Sequence, residues 1–208
     1  MKACIVCSGE IKDYGWALSQ VRRYELLIAA DGGANHLDKM GVIPHVIIGD
    51  LDSIDPAVLK NAESTERISF PEEKDKTDTE LAVALAFDRG AGSIDLLGAT
   101  GGRLDHTLGN ISLAVKFPGK IAIRTFGSTL EAVDHRQECR IKALPGSMVS
   151  LIPYPTARNV TTKGLKYSLE KEELSSGTRG ISNLLCRSDA TISVGGGLLL
   201  VVIEHRRD

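Results

Sequence analysis

The chain is 208 residues long, enough for one substantial domain or for one domain with a small companion. Its 42% hydrophobic and 25% charged residues are ordinary for a globular protein, and a formal net charge of −2 gives no reason to expect a nucleic acid or an anionic membrane as partner. No apolar run is long enough to cross a bilayer, and the opening MKACIVCSGE turns acidic too soon for a signal peptide, so the expected location is cytoplasmic.

In chain order, the first half alternates short apolar runs with helix-length stretches. The runs ACIVCSG (3–9), LLIAAD (26–31), HVIIGD (45–50), SIDLLGAT (93–100) and KIAIRTF (120–126) predict strands. Helices are expected near 14–23, 34–40, 55–62, 78–89 and 104–116. That rhythm predicts an α/β unit with a parallel sheet, helices on its faces and right-handed crossovers. Cys4 and Cys7, three apart in the first strand, point to opposite faces, which places them badly for metal chelation or a disulfide; reduced, mostly buried thiols are expected.

Past about residue 127 the helical period fades. EAVDHRQECRIKA, SMVSLIPY, RNVTTKG, SNLLCRSDATISV and LLLVVIEHRR read as short strands between turn residues, predicting a smaller all-β unit. The junction is placed near FGSTLE, dividing the chain into 1–127 and 128–208.

Four polar clusters follow strand ends in the first half. They are Asp31-Gly32-Gly33-Ala34-Asn35, Gly49-Asp50-Leu51-Asp52-Ser53, Lys74-Asp75-Lys76-Thr77-Asp78, and the glycine-rich run from Gly98 through Gly101, Gly102 and Arg103 to His106. In an open parallel sheet such clusters converge beyond the carboxyl ends of the strands, where ligands bind. Extended residues alternate faces, so Asp50 and Asp52 are expected to project to the same side with Leu51 turned away, and two carboxylates so close call for a hard divalent cation. An aspartate-rich turn in which Asp52 caps the next helix accounts for the same residues. Thr77 and Glu80 fit a capping box, which sets Asp78 in the first turn of a helix, where the dipole favours an ionised carboxylate. Lys74 and Lys76 are either solvated charges or donors to a polyphosphate.

On the helix from about 103, Leu104, Leu108, Ile111 and Val115 form one apolar stripe, with Arg103, His106 and Asn110 on a roughly opposite polar edge. Guanidinium and backbone N–H groups at a helix N-terminus suit an anionic phosphate chain; a solvated helix face is the plainer alternative. The chain has neither the Gly-x-Gly-x-x-Gly fingerprint at its first strand nor a P-loop, so a nucleotide would be held by another scheme.

The ordered series DGGAN, GDLDS, KDKTD, GATGGRLDH with Asn110, GLKYSL (164–169) and GISN (180–183) resembles the thiamine pyrophosphokinase family from Asp31 to Asn183. The resemblance implies a Rossmann-like α/β/α nucleotide-binding domain followed by a small C-terminal β-sandwich, working as a homodimer on ATP and thiamine. It implies transfer of pyrophosphate to the hydroxyethyl oxygen of thiamine, giving thiamine diphosphate and AMP, with Mg²⁺ on Asp50, Asp52 and Asp78. It places Asp31, Gly32, Gly33, Asn35, Lys76, Thr77, Gly101, Gly102, Arg103 and Asn110 on the nucleotide side, and Ser182 and Asn183 at the thiamine pocket. The family's stacking aromatic has no Trp counterpart, since Trp16 lies in the first helix; Tyr167 is the nearest candidate. Arg103 is expected to stabilise phosphate charge, Asp52 to act with the metal, and Asp78, Asp105 or His106 to orient or accept the hydroxyl proton. A phosphotransferase with another small alcohol acceptor and a non-catalytic nucleotide or thiamine diphosphate sensor are the rival readings.

Overall fold

The computed structural model describes residues 1–206. The chain is a mixed α/β protein that divides into two compact units: Met1–Leu113 with Ile123–Phe126, and Ala114–Ala122 with the residues from Gly127 onward.

In the first unit, β1 (Lys2–Val6), α1 (Tyr14–Val21), β2 (Leu26–Ala30), α2 (Gly33–Lys39), β3 (Val46–Gly49), α3 (Pro56–Asn61), β4 (Glu66–Ser69), α4 (Asp78–Asp88), β5 (Ser93–Leu97) and α5 (Leu104–Lys116) follow one another. β6 (Ile121–Arg124) comes next. The strands β4-β3-β2-β1-β5 lie side by side, every pair parallel. Four of them are apolar almost throughout because helices cover the sheet; α4 packs on β1, β2 and β3, and α2 on β1 and β2. Gly33 permits that second contact: a Cβ there would stand 1.9 Å from the Val6 carbonyl oxygen. The order reverses at β1, which has β2 on one side and β5 on the other, so the crevice of the sheet opens between the ends of β1 and β5.

Each expected helix is present. Asp13 caps α1 by accepting from Trp16 N (2.7 Å), and Thr77 caps α4 by accepting from Glu80 N (3.2 Å). Asp55, not Asp52, caps α3, with Pro56 at its first position. Cys4, Cys7 and Cys139 are buried and Cys186 is exposed.

α5 corrects the expected apolar stripe. Leu104 and Leu108 are 71% and 56% exposed and Ile111 and Val115 half-buried, whereas Asn110, Leu113 and Ala114 are buried. The inward phase is set by Asn110, whose Nδ2 donates to the Ala99 carbonyl (2.8 Å) and ties the helix to the loop after β5.

The second unit is antiparallel. β7 (Ser128–Asp134), β8 (Cys139–Lys142), β9 (Met148–Lys163), β10 (Glu172–Ser175), β11 (Asn183–Leu184), β12 (Asp189–Ser193) and β13 (Gly196–Glu204) pair in the order β7-β13-β9-β12-β8, with β10 and β11 also on β9. The alternating side chains of β9 and β13 bury Val149, Leu151, Val160, Leu199 and Val201 in a core shared with Ile141 and Ile192. Two expected segments, SMVSLIPY and RNVTTKG, are halves of the single sixteen-residue β9, which runs through Pro153 and Pro155. EAVDHRQECRIKA is the reverse case: it contains the end of β7, a turn and β8. The expected last strand reaches Arg207, which lies outside the described residues; β13 ends at Glu204.

Candidate active site

A cavity of about 540 Å³ opens at the carboxyl ends of the five parallel strands, at the point where the strand order reverses. Its wall takes Cys7, Ser8 and Gly9 from the end of β1, Asp31 from β2, Asp50 from β3, Lys74–Asp78 from the approach to α4, and Gly98, Ala99 and members of the loop and helix after β5.

Three carboxylates meet there. Oxygen atoms of Asp31, Asp50 and Asp78 all lie within 4.8 Å of one another. Gly49 makes the convergence sterically feasible: its φ is 149°, and a Cβ would stand 3.1 Å from both Asp31 Cβ and Asp78 Cγ. Asp31 itself has φ 45° and leaves Oδ1 buried without a hydrogen-bond partner. Lys74 Nζ reaches Asp50 Oδ2 at 2.9 Å and Asp78 Oδ1 at 3.1 Å, the second an ion pair that lacks hydrogen-bond geometry. The Lys74 hydrogen bond holds the Asp50 carboxyl below its usual range. Desolvation raises that of Asp78, with the Lys74 charge opposing it. For Lys74, burial works against the charge, but Asp50 and Asp78 outweigh it and the ammonium is favoured.

Asp52 is not in this cluster. Leu51 adopts φ 69°, so the chain is not extended there, yet Asp52 stays beside Asp50, its N–H donating to Asp50 Oδ1 (3.4 Å). The Asp52 carboxylate accepts instead from Ser53 Oγ (2.9 Å). Asp31, read from sequence as a nucleotide-side residue, stands in its place.

Along the glycine-rich loop, Gly101, Gly102, Arg103, His106 and Asn110 line the cavity, as do Lys76 and Thr77. Arg103 is held in a bidentate pair with Asp105 (Nε–Oδ1 3.1 Å, Nη2–Oδ2 2.6 Å), which pulls the Asp105 carboxyl down to about 2. Asp105 is off the cavity wall. So are Gly32 and Gly33, buried at the start of α2, and Asn35, whose amide bridges α2 to the loop after β3 by donating to Ser53 O (2.8 Å) and accepting from Asp55 N (3.0 Å).

Sequence reasoning missed Ser8 and Gly9. The small polar end of ACIVCSG, beside the strand where the order reverses, was the available signal. It also missed His36, whose Nε2 donates to the Gly9 carbonyl (2.8 Å) while Nδ1 accepts from Tyr14 OH (2.8 Å). A carbonyl can only accept, so this pairing fixes the Nε2–H tautomer of a neutral ring. Burial lowers the His36 pKa from its usual 6.5, which agrees.

In the second unit, Asn183 is 3% exposed and fully engaged. Its Oδ1 accepts from Tyr167 N (3.0 Å) and Leu184 N (2.9 Å), and Nδ2 donates to Tyr167 O (2.7 Å). Asn183 thus pins the segment that carries the exposed Tyr167 ring. Ser182, at φ 62°, donates its N–H to Ser150 Oγ (3.1 Å).

Two family models match the chain: "Thiamin pyrophosphokinase, catalytic domain" over residues 18–126 and "Thiamin pyrophosphokinase, vitamin B1 binding domain" over 134–199. The thiamine pyrophosphokinase of Bacillus subtilis is 32% identical over 186 residues, 86% of this chain and 87% of that protein. The crystal structure of thiamine pyrophosphokinase from Bacillus subtilis superposes with a TM-score of 0.87 at 28% identity, covering all of both chains. That of Geobacillus thermodenitrificans gives 0.85 at 30% identity over 100% of this chain and 99% of the other. The chain belongs to the thiamine pyrophosphokinase family.

Proposed function

We propose that this protein transfers a pyrophosphoryl group from ATP to the hydroxyethyl oxygen of thiamine, giving thiamine diphosphate and AMP. Family membership supports the reaction, and one observation ties it to this chain: three converging carboxylates face lysine, arginine and glycine-rich backbone across a single cavity at the sheet's switch point.

The donor set fits a hard divalent ion such as Mg²⁺, because it is all carboxylate and leaves the buried Asp31 Oδ1 unpaired. Asp31, Asp50 and Asp78 would hold it. When bound, such an ion supplies charge neutralisation and orientation for phosphate oxygens. The chain's own groups do the rest. Transfer of this kind proceeds through a loose transition state whose charge spreads over phosphoryl oxygens, so positioning and fixed positive charge carry most of the catalysis. Arg103, Lys76 and the backbone of Gly101 and Gly102 face that charge. Asp105 presents the guanidinium of Arg103 in a set plane, and His106 stands one turn along the same wall. Asp78, in the first turn of α4 on the cavity wall, is the acceptor assigned to the hydroxyl proton.

In this reading the first unit is a Rossmann-like α/β/α catalytic domain. The second is a β-sandwich that binds thiamine through the region of Tyr167 and Ser182. A homodimer is supported by apolar side chains exposed on the single chain, Leu104 and Leu108 in the first unit and Tyr167 and Ile181 in the second. No described helix is long and apolar enough to cross a membrane, and composition favours a cytoplasmic enzyme without nucleic-acid partners.

Incubation with ATP, thiamine and Mg²⁺, with products resolved by chromatography, tests the proposal. Equimolar AMP and thiamine diphosphate are expected. ADP with thiamine monophosphate, AMP only with a different alcohol, or ligand binding with no turnover would each contradict it.

A further inference from the structure

Residues 71–77 form an irregular loop between β4 and α4, and Lys74 is the one side chain in it that turns inward; Pro71, Glu72, Glu73, Asp75, Lys76 and Thr77 are exposed. The Lys74 side chain is 13% exposed. Its ammonium donates to Asp50 Oδ2 at 2.9 Å and to the Pro71 carbonyl at 3.1 Å, and pairs by charge with Asp78 Oδ1 at 3.1 Å. Among the described residues it is the cation paired with the converging carboxylates.

We propose that Lys74 is a built-in counter-cation, seated among the carboxylates while no metal is bound and displaced by the divalent ion that takes its place. The inference rests on the metal-binding reading of the same cluster. Three carboxylates this close repel one another, and a metal-free state that left all of them uncompensated would be strained. One ammonium relieves part of that repulsion. It reaches two of the three carboxylates and leaves Asp31 Oδ1 unfilled, whereas a divalent ion gathers several oxygens at once. Ammonium and metal draw on the same two carboxylates, Asp50 and Asp78, and their like charges oppose joint occupancy at close range. An irregular, solvent-facing loop is a tether that can let the side chain go. Lys74 also lines the cavity proposed for the triphosphate.

The device has a measurable consequence: metal affinity in the absence of nucleotide is held down by the cost of displacing Lys74. Mn²⁺ binding to metal-stripped protein, read from the electron paramagnetic resonance of the free ion without nucleotide, tests this. Lys74→Met should bind Mn²⁺ about ten-fold more tightly than wild type, the scale of one partly buried ion pair. Lys60→Met, which removes the same charge from α3, should bind as wild type does. Equal or weaker binding by Lys74→Met, with wild type binding normally, would overturn the counter-cation and leave the metal site standing. No binding by either protein, even with ATP present, would overturn both. A second readout uses wild type alone and does not depend on the variant folding. Amine acetylation followed by mass spectrometry should find Lys74 protected in metal-free protein and several-fold more reactive, relative to Lys60, once Mn²⁺ is bound. Unchanged or reduced reactivity with Mn²⁺ bound would contradict displacement.

Discussion

A methyl group on Gly49 would stand 3.1 Å from Asp78 Cγ, and the backbone at Gly49 has a φ of 149° that side chains disfavour. The close approach of β3 to the first turn of α4 therefore depends on the absence of a side chain. Gly49→Ala should cost about 2 kcal/mol in stability and separate Asp78 from Asp31, with loss of most activity. Urea unfolding and a steady-state assay check the two effects.

The cluster geometry ranks the carboxylates. Asp31→Asn, Asp50→Asn and Asp78→Asn should each weaken Mn²⁺ binding by about ten-fold or more, while Asp52→Asn, outside the cluster, should have a smaller effect. Calorimetric titration of the four variants makes the comparison. A larger loss for Asp52→Asn than for Asp50→Asn would mean that the loop at Leu51 rearranges when loaded.

His36 gives a pH dependence of known sign. Its folded pKa lies below the usual 6.5, so the unfolded chain takes up a proton first as pH falls. Stability from this group is complete above about 6.5 and declines as pH drops toward the depressed folded value. His36→Gln, which can still donate to Gly9 O, should flatten this part of the stability–pH profile. Thermal melts between pH 5 and 8 in wild type and variant test it.

Asn183→Ala strands the Tyr167 N–H and C=O and the Leu184 N–H, at a cost of about 2 kcal/mol. If Tyr167 stands at the thiamine pocket, the KM for thiamine should rise while that for ATP stays constant. Equal shifts in both would detach this segment from thiamine.

Asp95, with a side chain only 4% exposed, accepts from Tyr24 OH and pairs with Arg124 (2.5 Å) and Lys2 (3.0 Å). Removing the carboxylate leaves those partners without their shared acceptor. Asp95→Ala should destabilise by about 3 kcal/mol, measured by urea unfolding, with the divalent-ion affinity retained.

The strands and helices most legible in the sequence were those governed by local chemistry. Continuous apolar runs announced β1, β2, β3 and β5, and the Thr77–Glu80 cap announced α4. β4 was missed because Glu66-Arg67-Ile68-Ser69 is an edge strand with mostly exposed side chains and no apolar run. β9 was divided at Pro155-Thr156-Ala157, where the apolar alternation lapses, while pairing with β13 continues past them. At the site, the placement of Asp31, Asp50, Asp78, Arg103 and His106 beyond the strand ends was legible from sheet topology. That Asp31 completes the converging trio was not, because left-handed residues shape both loops, Asp31 itself and Leu51, and their identities do not advertise that conformation. The inward turn of Asn110 was hidden for a related reason: its partner is a backbone carbonyl eleven residues away.

The most direct test is anomalous diffraction from crystals grown with Mn²⁺ and a non-hydrolysable ATP analogue. A single region of manganese density within coordination distance of Asp31, Asp50 and Asp78, touching phosphate oxygens of the nucleotide, is the predicted result. Nucleotide bound in the cavity with manganese elsewhere, or those three carboxylates still paired with Lys74 and no ion, would contradict the account.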